Sequence, residues 1–234
     1  MERNVLLVVA AAAAALVLPS AASLMAAGQL AIPDAQGFGA YATGGRGGTV
    51  QVVTNLNSSG AGSFANAVSQ ANSIVVFDVG GVIDLTSELA IASNVTIFGQ
   101  TAPGQGIALE GGSNGYNISL SGSSNDIIQY IRVLQGGPST VQKTAIEMYN
   151  TSNAILDHVS VEYAPYDSID MTGSGSNITI QNSLLADPIM GQQFNVHAQN
   201  TGPDSFFTNA REPAELFIAP LKTLLALLPP NVSV

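Results

Sequence analysis

Residues Asn153–Leu185 read NAILDHVSVEYAPYDSIDMTGSGSNITIQNSLL, and their pattern decides the fold. Two runs, NAILDHVSV (153–161) and NITIQNSLL (177–185), each open on an asparagine and alternate apolar with polar residues. Each then resumes the alternation past a slight bend. A period of two marks a half-buried strand. Between the runs lies a turn-rich segment that carries Asp167 and Asp170. The stretch reads as two successive turns of a coiled β-structure with an acidic turn between them.

The same grammar extends outward through SIVVFDV, GVIDL, NVTIFG, GIALEG, NISLSG, DIIQYIRVL and TAIEMY, broken by Gly, Ser or Asn. Start points recur at Asn94, Asn117, Asn153 and Asn177, with gaps of 23 and 24 residues flanking a longer one that holds DIIQYIRVL. A period in the twenties built from short strands is a solenoid signal. One turn cannot bury its own apolar face, whereas stacked turns bury a continuous core. Strands that return once per turn pair in parallel, which accounts for the lack of hairpin turns and long crossover helices. A β-sandwich is the competing fold, since it also tolerates many short strands. The repeated Asn, Val/Ile, Thr/Ser, Ile/Leu order favours an all-β, single-chain parallel β-helix. SFANAVSQA (63–71), with Ser63 as N-cap, predicts one short helix that caps the open N-terminal end of the solenoid. The glycines of GFGAYATGGRGG (37–48) point to tight turns and close backbone packing. They lack the Lys-Ser/Thr of a phosphate loop.

Composition narrows the function. Charged residues are only 9% of the 234, and the net charge is −10 with six basic side chains. No basic patch exists, which argues against a nucleic-acid partner. An acidic protein repels a polyanion unless a cation mediates. There is no cysteine, hence neither disulfides nor a thiolate metal site. The first residues, MERNVLLVVAAAAAALVLPSAASLMAAG, have the layout of a secretory signal peptide cut after Ala22 or Ala27. The apolar core is short of the ~20 residues of a membrane span. A secreted protein, with no membrane partner once the leader is removed, is expected. Sequons at Asn57, Asn94, Asn117, Asn150, Asn177 and Asn231 fit a glycoprotein. Several open strands, where Asn also serves as a turn former. From Arg211 the tail to residue 234 turns Leu/Pro-rich and leaves the strand grammar. It reads as foreign to the fold, as after an early stop or a changed reading frame.

Asp167 and Asp170 are three apart, so in one strand they would face opposite sides. A bend at Pro165 or at Asp167–Ser168 brings them together and leaves Glu162 outside. Hard oxygen ligands suit Ca²⁺, although carboxylates at turns are commonly just solvated.

QGFGAYATGGRGGTVQVVTNLNSSGAGSF, IVVFDVGGVIDL, NVTIFGQTAPGQGIAL, ILDHVSVEY and NITIQNSLL resemble the secreted pectate lyases of polysaccharide lyase family 1. The likeness covers 35–209. It implies a right-handed parallel β-helix, a pectic polysaccharide substrate and cleavage by β-elimination. It also implies Ca²⁺ bridging protein and uronate carboxylates, with an arginine taking the C5 proton. On the family pattern, Asp170 falls on a calcium ligand and Asp167 lies one residue off another. Thr144 stands where a third, an aspartate, is expected. Pro188 stands in place of a substrate-binding lysine, and Arg211 in Arg211-Glu212-Pro213 is the candidate base. Asp157-His158 matches a pair read as structural and buried. A monomer is expected. Three alternatives stay open: an inactive β-helix that at most binds pectic chains, a calcium-independent lyase on esterified pectin, and a hydrolase with paired carboxylates.

Overall fold

A computed structural model describes residues 28–138, 143–189, 196–199 and 205–208. The leader (1–22, or to 27), Arg211 and the 211–234 tail lie outside the described residues. The strands form three parallel sheets. Sheet A stacks β1 (Thr49–Val53), β2 (Ser73–Phe77), β5 (Val95–Phe98), β8 (Ser124–Gln129), β11 (Ser152–Asp157), β14 (Ser176–Gln181) and β17 (Ser205–Thr208). Sheet B stacks β3 (Gly81–Asp84), β6 (Ile107–Glu110), β9 (Ile131–Leu134), β12 (Ser160–Glu162) and β15 (Leu184–Ala186). Sheet C stacks β4 (Leu89–Ala90), β7 (Ile118–Ser119), β10 (Ile146–Glu147), β13 (Ile169–Thr172) and β16 (Val196–Gln199). The chain visits A, B and C in turn, so this is a parallel β-helix and not a sandwich.

Register explains why these residues form these strands. On sheet A, Val75, Ile97, Ile128, Leu156 and Ile180 are aligned from turn to turn and buried. Sheet B contributes Ile83, Leu109, Val133, Val161 and Leu185. Sheet C contributes Leu89, Ile118, Ile146 and Ile169. Each column is one continuous seam of aliphatic side chains, each worth roughly 1.5–3 kcal/mol of burial. The opening stretch supplies two rungs: Ala154 lies on Ile178, Leu156 on Ile180 and Val161 on Leu185.

The asparagine periodicity has a backbone cause. Asn72, Asn94, Asn125, Asn153 and Asn177 all have left-handed φ near 53–61°. They lie at or just before the start of sheet A strands, where the chain bends in. Asn tolerates this region better than other side-chain-bearing residues. Asn117 does not belong to that column. It precedes β7 on sheet C, is 5% exposed and donates to Glu147 Oε2 at 3.5 Å. Asn177 Nδ2 donates to Asn153 Oδ1 at 2.8 Å, turn to turn. These sequon asparagines therefore have a structural role in the folded chain.

The predicted helix is α1 (Phe64–Val68), and Ser63 is its N-cap, with Oγ accepting from Asn66 N at 3.2 Å. Phe64, Ala67 and Val68 are buried, and the Val68 carbonyl accepts from Ala92 N beside β4. The helix thus covers the first turn where no sheet C strand precedes β4. Among the described residues no helix is long and apolar enough to cross a membrane.

The glycine-rich segment crosses the outer face of sheet A. Thr96, Ile127, Ile155 and Thr179 form the outward column there. Ile32 and Ala42 pack on the two isoleucines. Gly39 N and Gly45 N donate to Thr179 Oγ1 and Thr96 Oγ1 at 3.0 and 2.9 Å. A Cβ on Gly39 would stand 2.1 Å from the Ala154 carbonyl oxygen, so only glycine lets the arm lie this flat. Gly39→Ala is expected to cost about 1–3 kcal/mol through this overlap. Limited proteolysis should then cut the arm well before the solenoid, and an unchanged cutting pattern counts against the close fit.

Candidate functional site

Sheet C carries the acidic face. Ile146 and Ile169 turn into the core, so the next residues, Glu147 and Asp170, turn outward and align across neighbouring turns. Ser119 aligns with Glu147 one turn earlier. Burial is the largest influence on Glu147 and pushes its pKa up. The nearby carboxylates of Glu88 and Asp170 push the same way, and hydrogen bonds from Ser121 and Asn117 oppose them. Asp167 sits in the turn before β13, only 4% exposed, with its backbone carbonyl accepting from Ala145 N at 3.0 Å. That bond sets Asp167 beside Thr144, the position expected to hold another carboxylate. Glu162 stands on β12 in sheet B, apart from this face.

The donor set does not fit a complete calcium site. Among the described residues no group of three or more His, Asp or Glu side chains is placed to hold a metal. Thr144 offers a neutral oxygen where a charge is needed, and hard dications take six to eight oxygens rich in carboxylate. Asp167 and Asp170 are present, with Glu147 beside Asp170, but the third acidic ligand is not.

Glu147 was not singled out by reading the chain alone, although a signal existed. It precedes Asp170 by 23 residues, one solenoid period. Its strand is two residues long, too short for alternation to show which side it faces.

A second constellation lies at the turn from sheet A to sheet B. Asp157, 1% exposed, accepts from Gln129 Nε2 (2.8 Å), Gln181 Nε2 (3.1 Å), Asn182 Nδ2 (3.0 Å) and His158 Nδ1 (3.0 Å). Burial on its own raises the Asp157 pKa, and the donors, His158 foremost, outweigh it and hold the carboxyl below its ordinary value. The expected buried pair is thus half right. Asp157 is buried, but the His158 side chain is 40% exposed and stacks on Tyr130, with ring centroids 4.4 Å apart.

No protein-family model matches the chain. It is 44% identical over 180 residues to "Probable pectate lyase C" of Aspergillus oryzae, an alignment spanning 77% of this chain and 42% of that one. Identity to the "Probable pectate lyase C" of Emericella nidulans is 45% over the same shares. A pectate lyase of Nicotiana tabacum is 27% identical over 65% of this chain and 43% of its own. The chain therefore spans less than half the length of these curated relatives. Among solved structures, jun a 1, the major allergen from cedar pollen, superposes with a TM-score of 0.55 at 21% identity. That match covers 76% of this chain and 62% of that one and carries the fold. By architecture this is a parallel β-helix protein. Over about three quarters of its length its sequence is similar to proteins described as pectate lyases.

Proposed function

We propose that the protein is a secreted, monomeric polysaccharide lyase that cleaves pectate by β-elimination. The single observation that supports this most is the 44–45% identity to Aspergillus and Emericella proteins described as pectate lyases. In this reaction the C5–H bond breaks and its proton goes to a base. The electron pair forms the C4=C5 double bond, and the C4–O bond breaks with the glycosidic oxygen as leaving group. Arg211 is the base in this reading. Asp170 faces the chain from sheet C, and Asp167 beside Thr144 supports the turn that positions it.

Calcium is the cation this reading would recruit to offset repulsion between the acidic face and a uronate chain. The incomplete donor set around Thr144 makes two departures the readings to test against it: elimination on esterified, uncharged pectin without calcium, and binding without turnover.

Incubating the full chain with polygalacturonate and with methyl-esterified pectin, with calcium or with chelator, separates these readings. Ultraviolet-absorbing unsaturated product from polygalacturonate is expected, abolished by Arg211→Ala and cut about tenfold or more by Asp170→Asn. Product from esterified pectin alone, indifferent to chelator, selects the calcium-independent reading. No unsaturated product from either substrate refutes the lyase, and retention on immobilised polygalacturonate then marks a binding protein.

A further inference from the structure

A cleft lies away from sheet C, where the N-terminal arm meets the turn from sheet A to sheet B. It has a volume of about 630 Å³, in the range of small-ligand sites. One wall is the N-terminal arm at Ile32–Asp34, and the other is the sheet A to sheet B turn with Gln100, Tyr130 and His158.

Three observations point to a ligand here. Tyr130 and His158 adopt left-handed φ of 54° and 55°, at a turn position that Asn182 fills one turn later. Tyrosine is unusual in this region of backbone space, where asparagine and histidine are better tolerated, and strained positions gather at functional sites. The two rings are stacked within 12° of parallel, and Tyr130 remains 42% exposed. Phe98 aligns with Gln129, so the position next to Tyr130 one turn earlier is Gly99. Gly99 packs its backbone directly on that of Tyr130, so position 99 places no side chain over the exposed ring. A fourth feature sets the chemistry: Asp34 and Gln100, both exposed, supply an acceptor and an amide at the rim.

We propose that this cleft binds a neutral, hydroxyl-rich pyranose residue, stacked on Tyr130 at the level of Gly99. Neighbouring turns are spaced about 4.8 Å apart. A sugar ring at the Gly99 level therefore continues the Tyr130–His158 stack at nearly the spacing the rings already keep. The C–H face of a pyranose suits an aromatic face, and its hydroxyls suit the Gln100 amide and the Asp34 carboxylate. His158 already commits Nδ1 to Asp157, which fixes its ring plane and with it the platform. No lysine or arginine lines the cleft, and Asp34 repels a uronate, so the site selects a neutral sugar over pectate. The inference does not depend on the lyase reading, since it uses neither sheet C nor Arg211.

The test is saturation-transfer NMR and calorimetry on the full chain with cellotetraose, xylotetraose and trigalacturonate. Tyr130→Asn removes the ring and keeps a residue suited to left-handed φ, and Tyr130→Phe keeps the ring. Transfer to the C–H protons of a neutral tetrasaccharide is expected. Affinity should fall about tenfold or more in Tyr130→Asn and be retained in Tyr130→Phe. Equal affinity in wild type and Tyr130→Asn overturns the proposal. So does trigalacturonate binding that depends on Tyr130 and is as tight as that of the neutral sugars, and so does an absence of binding to either neutral probe at millimolar concentrations. Loss of lyase activity alone would leave this binding intact, so the two readings fail separately.

Discussion

Asp126→Asn is expected to stabilise the protein by up to about 4 kcal/mol near pH 8 and to change little near pH 4. Asp126 lies on β8 and faces the interior, aligned with Ala154 and Ile178 of the following turns. It is fully buried. Its Oδ1 accepts from Val95 N at 3.0 Å, and its Oδ2 has no hydrogen-bond partner among the described residues. Burial pushes its pKa from 3.8 to about 7, against the opposing bonds from Val95 and Ser123. Between those two values the native state holds a proton that the unfolded chain has released. Stability from this group is therefore complete below pH 3.8 and is lost as the pH rises through about 7. Asparagine keeps the acceptor for Val95 N and removes the ionisation. In thermal melts the variant should gain on the wild type as pH rises, by about 10 °C at the top of the range for a domain of this size. Parallel pH profiles for the two proteins would show that the buried carboxyl does not titrate as described.

The fold was legible because it repeats. Alternation follows from strands with one face on the core and shows clearly in β2, β9 and β13, whereas on β8, β11 and β14 the outward residues are buried as well. Ser63 announced its helix because an N-cap is a local interaction. The glycine run announced close packing, though not against what, since the outer face of sheet A is assembled from residues far apart in the chain. The asparagine repeat was legible but mixed. Asn94, Asn153 and Asn177 share a left-handed column, whereas Asn117 merely resembles them in spacing. The site was harder to read. Asp170 beside Glu147 is a matter of register between two short strands, and register is not written in either strand alone. Gln129 and Gln181 carry no local signal at all. They matter only because stacking brings both amides onto one carboxylate.

That carboxylate sets the second large effect. Asp157→Ala is expected to cost about 3–5 kcal/mol at neutral pH, because buried amide donors on Gln129 and Gln181 lose their acceptor together. Asp157→Asn, which keeps one oxygen and the shape, should cost less than half of that. The pH dependence is the reverse of that at Asp126. The folded pKa of Asp157 lies below its ordinary value, so its contribution is present above about 3.8 and is lost as pH falls through the lower folded value. Urea melts of wild type and Asp157→Ala should therefore lie closer together in strong acid than at pH 5. A gap that stays constant down to pH 2 would mean that the Asp157 charge adds nothing beyond its shape. The contributions of these two buried carboxyls are jointly greatest on the acid side of neutrality. In the window just above 3.8, Asp157 is ionised and satisfied while Asp126 is still protonated and uncharged. Asp126→Asn should broaden that maximum toward alkaline pH, and Asp157→Ala should lower it without moving its alkaline edge.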